Sequence, residues 1–247
     1  PYIDKFKIGE YYNESRGKEV IQFAKTHLDM FFPIDNCSYK DVTKIQIINN
    51  ELFFHDKNYN LKKMRDQNQF FGYIGIESDP EEIILKKNGL RIRLQLDKDH
   101  QIGKIDSFHL KDIVIESSLS VIMDCEDSIV SVDTNDKIAT FRNWVGLLNA
   151  SIQTEVKKDN VSFIRKLSKD ISYKKPNGDA DTMKGLSLLL IRNVGHLMTS
   201  SSIIDQNKNE IGEGIIDTLL TALCFLKTID NSENSKFKSL YIVKPKM

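Results

Sequence analysis

The densest chemistry in this 247-residue chain is acidic: Asp124-Cys125-Glu126-Asp127 sets three carboxylates within four residues, directly after an apolar run at 119–123. Carboxylates this close repel one another, and they stay ionised together when solvated, paired with Arg or Lys, or holding a cation. A solvated loop or helix start and a binding site therefore both fit the cluster. Arg192 is the complementary group, placed where the run 186–191 ends. Its planar fork of donors suits a carboxylate, or a carbonyl oxygen that gains negative charge during a reaction. A structural salt bridge to the acidic cluster is the other reading, and both can hold, because such a pairing would orient the Arg. His196, in Asn193-Val194-Gly195-His196-Leu197-Met198, reads as a structural hydrogen-bonding residue, with Gly195 permitting a tight loop. Arg165 and Lys166 read as surface charges by default, and Trp144 as packing.

What must position these groups is an alternation of strands and helices. Residues 119–123, 186–191 and 240–243 are apolar runs of the buried-strand kind. Between them lie two helical patterns. One starts at Asp136 or a neighbour, with Ile138, Phe141, Val145 and Leu148 on one face; the other covers 213–229. Apolar strands alternating with helices predict a parallel sheet covered by helices. Ligands bind such sheets at the C-terminal edge of the strands, which puts Asp124, Glu126, Asp127 and Arg192 on one rim. A further helix is expected from Ser107 as its cap to about residue 119. The polar stretch 157–185 is expected to hold a hairpin around Pro176-Asn177-Gly178.

The first part of the chain has another character. Val20, Ile21, Ala24, Leu28 and Phe31 recur at helical spacing, predicting a helix over 15–32 that Pro33 stops. Residues 43–48, 52–55, 69–74, 82–86 and 90–97 are short runs rich in β-branched and aromatic residues, punctuated by Asn, Asp, Pro and Gly. They predict an antiparallel β module joined by hairpins, with Asn88-Gly89 as the strongest turn. This module carries no catalytic constellation and reads as structural or docking.

Bulk composition sets the outer bounds. Lys+Arg 35 balances Asp+Glu 35, so there is no electrostatic reason to expect nucleic acid or a membrane surface as partner. A 40% hydrophobic content suffices for a sizeable core in one large domain or two small ones. Cys37, Cys125 and Cys224 lie far apart without CxxC spacing, and the five histidines lack HxxxH pairing. Reduced thiols in the cytoplasm are the expectation, with neither a disulfide framework nor a zinc site. No apolar run reaches the ~20 residues of a membrane span. The start lacks a signal peptide and an initiator Met, and the end follows a strand-like run without a capping element. Both ends read as cut.

Several segments together exceed generic pattern. They are Ile122-Met123-Asp124-Cys125-Glu126-Asp127-Ser128 with Val132-Asp133; Arg142-Asn143-Trp144-Val145-Gly146-Leu147; and Ile191-Arg192-Asn193-Val194-Gly195-His196-Leu197-Met198-Thr199. Glu213-Gly214-Ile215-Ile216-Asp217, Tyr241-Ile242-Val243-Lys244-Pro245-Lys246-Met247, Gln69-Phe70-Phe71-Gly72-Tyr73 and Asn88-Gly89-Leu90 add to them. In this order and spacing the chain resembles the malate synthase family of the G type, over essentially its whole length.

The resemblance implies a fold of the α/β class: a β-rich inserted α+β module plus an incomplete TIM-barrel βαβαβ segment. Residues 1–106 would be mainly the inserted module with its N-terminal helix. Residues 107–247 would be early barrel units, with 157–185 returning to the module. It implies a family reaction that condenses acetyl-CoA with glyoxylate and water to give malate and CoA, using Mg2+, in the glyoxylate cycle. Arg192 would be the catalytic Arg, with Glu126 beside it and Asp124 and Asp127 near the magnesium. Ser128 and Arg165 would contact acetyl-CoA. The family's magnesium ligands lie on later barrel strands and its catalytic base in a C-terminal domain, so neither is expected here. The chain alone is expected to be inactive and to bind no cofactor, with exposed barrel edges favouring self-association. The alternatives are a non-catalytic remnant that serves as a folded binding module, and a chain that binds CoA weakly without turnover.

Overall fold

A computed structural model describes residues 12–116, 120–158, 161–186, 188–231, 234–235 and 237–245. The expected strand start at Leu119, Ser187 in the next apolar run, and both chain ends lie outside the described residues. Among the described residues the fold is mixed α/β, with a β-rich module, a three-stranded parallel segment and no closed barrel. Two compact units divide it, one of residues 1–118 and 171–183 and the other of 119–170 and 184–247. No helix among the described residues is long and apolar enough to cross a membrane.

The first unit opens with helix α1 (Glu14–Phe31). The Asn13 side chain caps it by accepting the Arg16 N–H at 3.0 Å. A small antiparallel sheet follows: β1 (Val42–Ile48), β2 (Glu51–Asp56) and β3 (Leu61–Lys63). Next come β4 (Phe70–Ile76), β5 (Asp79–Lys87), β6 (Leu90–Leu96) and β7 (Leu110–Ile115). The turn between β5 and β6 is Asn88-Gly89, with φ of 51° and 81°, the left-handed pair that a two-residue hairpin demands. Val42, Leu52, Phe54, Ile83, Leu85 and Leu94 fill one core, into which Leu28 of α1 packs. Lys25 of α1 is also buried there. Its ammonium pairs with Asp106, sits 4.4 Å from the Phe108 ring centroid and donates to Ser107 Oγ at 3.3 Å.

The helix expected over 107–119 is instead the edge strand β7, paired antiparallel with β6. Leu110, Ile113 and Val114 have helical spacing, but long-range pairing with β6 and three consecutive β-branched residues decide for strand. Ser107 caps nothing; its hydroxyl donates to the Val42 carbonyl at 2.6 Å. Asp106 Oδ2 accepts the Phe108 and Leu110 N–H groups and folds the chain into β7.

The second unit is built from β8 (Ser120–Asp124), α2 (Thr134–Leu148), two hairpin strands β9 (Gln153–Lys158) and β10 (Val161–Lys166), and, further on, β13 (Leu188–Arg192). Between them β11 (Ile171–Lys174) and β12 (Ala180–Met183), the hairpin around Asn177-Gly178, extend the sheet of the first unit beside β4. After β13 come a hairpin of β14 (Thr199–Ile204) and β15 (Glu210–Gly212), then α3 (Glu213–Thr228) and β16 (Ile242–Val243). β8, β13 and β16 are parallel in the order β16-β13-β8. Strand, helix, strand, helix, strand is the expected sequence of elements; the β9–β10 and β14–β15 ribbons were not foreseen.

Alternation along these strands separates two faces. Met123, Cys125, Leu189 and Ile191 point to the helices and join Trp144, Leu147, Leu148 and Phe225 in one core. Ile122, Leu188, Tyr241 and Val243 lie on the other face and are 57%, 36%, 50% and 42% exposed. Parallel sheets are normally covered on both faces, so this apolar face is unusual.

Candidate functional site

The strand register brings the site together. Arg192 ends β13 and Asp124 ends β8, and the two are direct partners across the parallel ladder. Alternation puts both on the face opposite the helices. Neighbouring strands lie about 4.8 Å apart, within reach of an Arg and an Asp side chain. Arg192 Nε donates to Asp124 Oδ1 at 2.8 Å and Nη2 to Oδ2 at 2.6 Å, a two-pronged pair. Nη2 also reaches Asp127 Oδ2. The Cys125 N–H donates to the Arg192 carbonyl at 2.8 Å, tying the two strand ends through the backbone as well.

Asp124 is the hub of the turn that follows β8. Its Oδ1 accepts the Glu126 and Asp127 N–H groups at 3.1 and 3.2 Å, and its Oδ2 accepts the Ser128 hydroxyl at 3.1 Å. A carboxylate offers about four lone-pair sites, so this one is fully engaged. Arg192 and these donors hold the Asp124 carboxyl well below the usual carboxylate range, and the same pairing makes Arg192 cling to its proton more firmly than usual. Burial pushes the neighbouring Cys125 thiol, on the helix side, up to about 11, so it stays protonated and inert.

Asp124, Asp127, Ser128 and Arg192 are thus gathered at one point, and Glu126 is half-buried in the same turn. Arg165 stands apart, exposed on the β9–β10 ribbon. His196 is exposed in the loop after β13, and Trp144 is buried, its Nε1 3.4 Å from the Thr221 carbonyl oxygen. Among the described residues no group of three His, Cys, Asp or Glu is arranged to hold a metal ion. With both Asp124 oxygens on Arg192, these residues do not fit a magnesium ion.

Arg192 Nη1 makes no protein hydrogen bond among the described residues. A guanidinium fixed along one edge, with the other edge at an uncovered face, presents a rigid positive charge to an anionic or carbonyl oxygen. Sequence pattern missed a second polar junction at the same end of the sheet. Lys137 of α2 pairs with Glu213 and, at 2.9 Å, with Asp217 of α3. The spacing of Glu213 and Asp217, one helical turn apart at a helix start, was the available signal.

Comparison with known proteins gives a consistent picture. The family model for the malate synthase G alpha-beta insertion domain matches residues 12–87, and that for the malate synthase TIM barrel domain matches 188–247. Malate synthase G of Halalkalibacterium halodurans is 42% identical over 239 residues, covering 96% of this chain and 33% of the relative. Malate synthase G of Corynebacterium efficiens is 41% identical over 249 residues, and that of Corynebacterium glutamicum 42% over 251, each covering 100% of this chain and 33% of the relative. The chain spans about a third of the length of the curated relatives it matches.

Proposed function

We infer, from a chain that belongs to the malate synthase G family along its whole length, that Arg192 and its acidic cradle are part of an active site that condenses acetyl-CoA with glyoxylate. The observation that carries the reading is the two-pronged pairing of Arg192 with Asp124 at the C-terminal edge of a sheet face left uncovered. Arg192 polarises the glyoxylate aldehyde and stabilises the enolate oxygen of acetyl-CoA. Because its orientation is set before substrate arrives, it acts on the transition state without reorganising. Asp124 is a positioning residue for it. Its low proton affinity and its full set of partners make it a poor base.

Glu126 lies in the same turn and takes the acidic role beside Arg192. Ser128 and Arg165 serve acetyl-CoA, Arg165 through the phosphates of the nucleotide; Ser128 must turn its hydroxyl from Asp124 to do so. Magnesium would supply charge neutralisation for glyoxylate in the complete enzyme, and the residues around Arg192 would not be its ligands. The base that takes the methyl proton is likewise elsewhere in the parent enzyme. A polypeptide of these 247 residues alone is therefore inactive, because proton removal and charge stabilisation must act together. The same reading puts the protein in the cytoplasm, without nucleic-acid or membrane partners, and self-associating through open strand edges.

The test is release of CoA from acetyl-CoA and glyoxylate with magnesium, by this chain alone and by the chain mixed with a polypeptide carrying the remainder of a relative. Activity only in the mixture is expected. Activity in neither, with both parts folded, would favour a remnant that keeps the fold as a binding module. Full activity from the chain alone would overturn the dependence.

A further inference from the structure

Three stretches take no part in the Arg192 site: the loop Asn193-Val194-Gly195-His196-Leu197-Met198, the helix start Glu213-Gly214-Ile215-Ile216-Asp217, and Tyr241-Ile242-Val243-Lys244. They converge on the half-buried Lys244 ammonium. Its Nζ donates to the Gly214 carbonyl and lies 3.5 Å from the Val194 carbonyl oxygen. Two backbone bonds fasten the same loop. The Asn193 N–H donates to the Val243 carbonyl at 3.1 Å, and the Glu213 N–H to the Met198 carbonyl at 2.8 Å. Gly214 is fitted to this junction, since a Cβ there would lie 2.6 Å from Lys244 Nζ and 3.0 Å from the Val194 oxygen.

A cation in this place works against its surroundings. The first turn of α3 is the positive end of a helix dipole, and burial lowers the proton affinity of Lys244. The charge of buried Asp217 opposes that effect, and Lys137 in turn holds Asp217 and Glu213. Charge attraction at a helix start is therefore a poor account of the ammonium. What it joins is a better one: the loop that follows Arg192, the start of α3 and the end of β16.

We propose that Lys244 is a positioning residue for Arg192, clamping the loop 193–198 onto the first turn of α3 and so fixing the direction in which β13 delivers the guanidinium. The inference rests on the catalytic reading of Arg192 given above.

The test is made by nitrogen-15 NMR on the 247-residue chain, following the Arg192 Nε–H signal and hydrogen exchange of the Asn193 amide, whose bond to the Val243 carbonyl fastens the start of the loop. Lys244→Met keeps the stem and removes both carbonyl contacts. It should speed loop exchange about tenfold, the scale of one lost hydrogen bond, and shift the Arg192 signal. Lys244→Arg should restore most of the protection. Lys137→Met, which removes the adjacent ion pairs without touching the loop, should lower Tm and leave the Arg192 signal in place. Wild-type signal and exchange in Lys244→Met would overturn the proposal, as would an equal response in Lys137→Met. Should Lys244→Met fail to fold, Gly214→Ala crowds Nζ instead and must shift the same signal; no shift overturns the proposal. Glyoxylate separates the two readings. The glyoxylate response of the Arg192 signal in the chain mixed with the remainder of a relative tests the catalytic assignment, whereas the clamp is read on the chain alone without ligand.

Discussion

The two units cover their sheets in opposite ways. In the first, two antiparallel sheets and α1 enclose one core, and even an ion pair, Lys25 with Asp106, is taken inside it. In the second, among the described residues, three parallel strands are packed by helices on one face only, and Ile122, Leu188, Tyr241 and Val243 are left open on the other. That open face is where Asp124 and Arg192 stand. The contrast teaches where to look for chemistry: the first unit uses its charges for structure, whereas the second holds its sharpest charge pair at an unfinished surface.

The largest effect should come from the enclosed ion pair. Lys25→Ala leaves Asp106 buried without its partner and should destabilise the first unit by about 3–5 kcal/mol, whereas replacing both residues by apolar ones should be nearly neutral. Trp144, the single tryptophan, is buried in the second unit and reports on that unit alone. Urea unfolding followed by circular dichroism should therefore move while the Trp144 fluorescence transition stays. A joint shift would mean that the two units unfold as one.

Next in size is Arg192→Lys in the reconstituted enzyme. A Lys cannot make the two-pronged pair, and kcat/KM should fall by about 10²–10³ with the Trp144 transition moved by no more than about 1 kcal/mol. A loss of stability of matching size would make Arg192 a structural residue and erase the contrast. Adjacent positions on β8 then sharpen it. Met123→Ala, on the helix side, should cost about 2–4 kcal/mol, while Ile122→Ser, on the open face, should stay within about 0.5 kcal/mol in the isolated chain. Thermal unfolding of both variants decides.

The smallest effect is on pH dependence. The folded-state pKa of Asp124 is depressed, so its contribution is complete above the unfolded value near ~3.9 and is lost as pH falls from there through the lower folded value. Asp124→Asn should flatten the acid limb of the Trp144 transition below about pH 4. An unchanged slope would mean that the pair with Arg192 adds nothing to stability.

Much of this was legible in sequence because it rests on short-range signals. The runs before Asp124 and Arg192 read as strands because they are apolar and short, and the rim followed from parallel-sheet logic without any knowledge of contacts. The salt bridge was one of the two readings open for Arg192. What could not be read is what depends on pairing across the chain. Residues 110–115 carry helical spacing, and only the partner strand β6 decides against it. The two ribbons, β9–β10 and β14–β15, are polar enough to pass for loops. Nothing near Lys25 in sequence signals its burial, because its partner Asp106 lies far along the chain. Lys244 gives no local hint of the carbonyls it binds.

Arg192 and Asn193 are consecutive, yet one side chain belongs to the open face and the other is buried toward α3 beside Thr221. Side is therefore a matter of parity. Deleting one residue from β13 would bury the guanidinium under the helix and bring an amide to the rim, while a two-residue deletion keeps each on its own side. For anyone shortening, grafting or circularly permuting this segment, odd changes in the length of β13 are the ones to avoid.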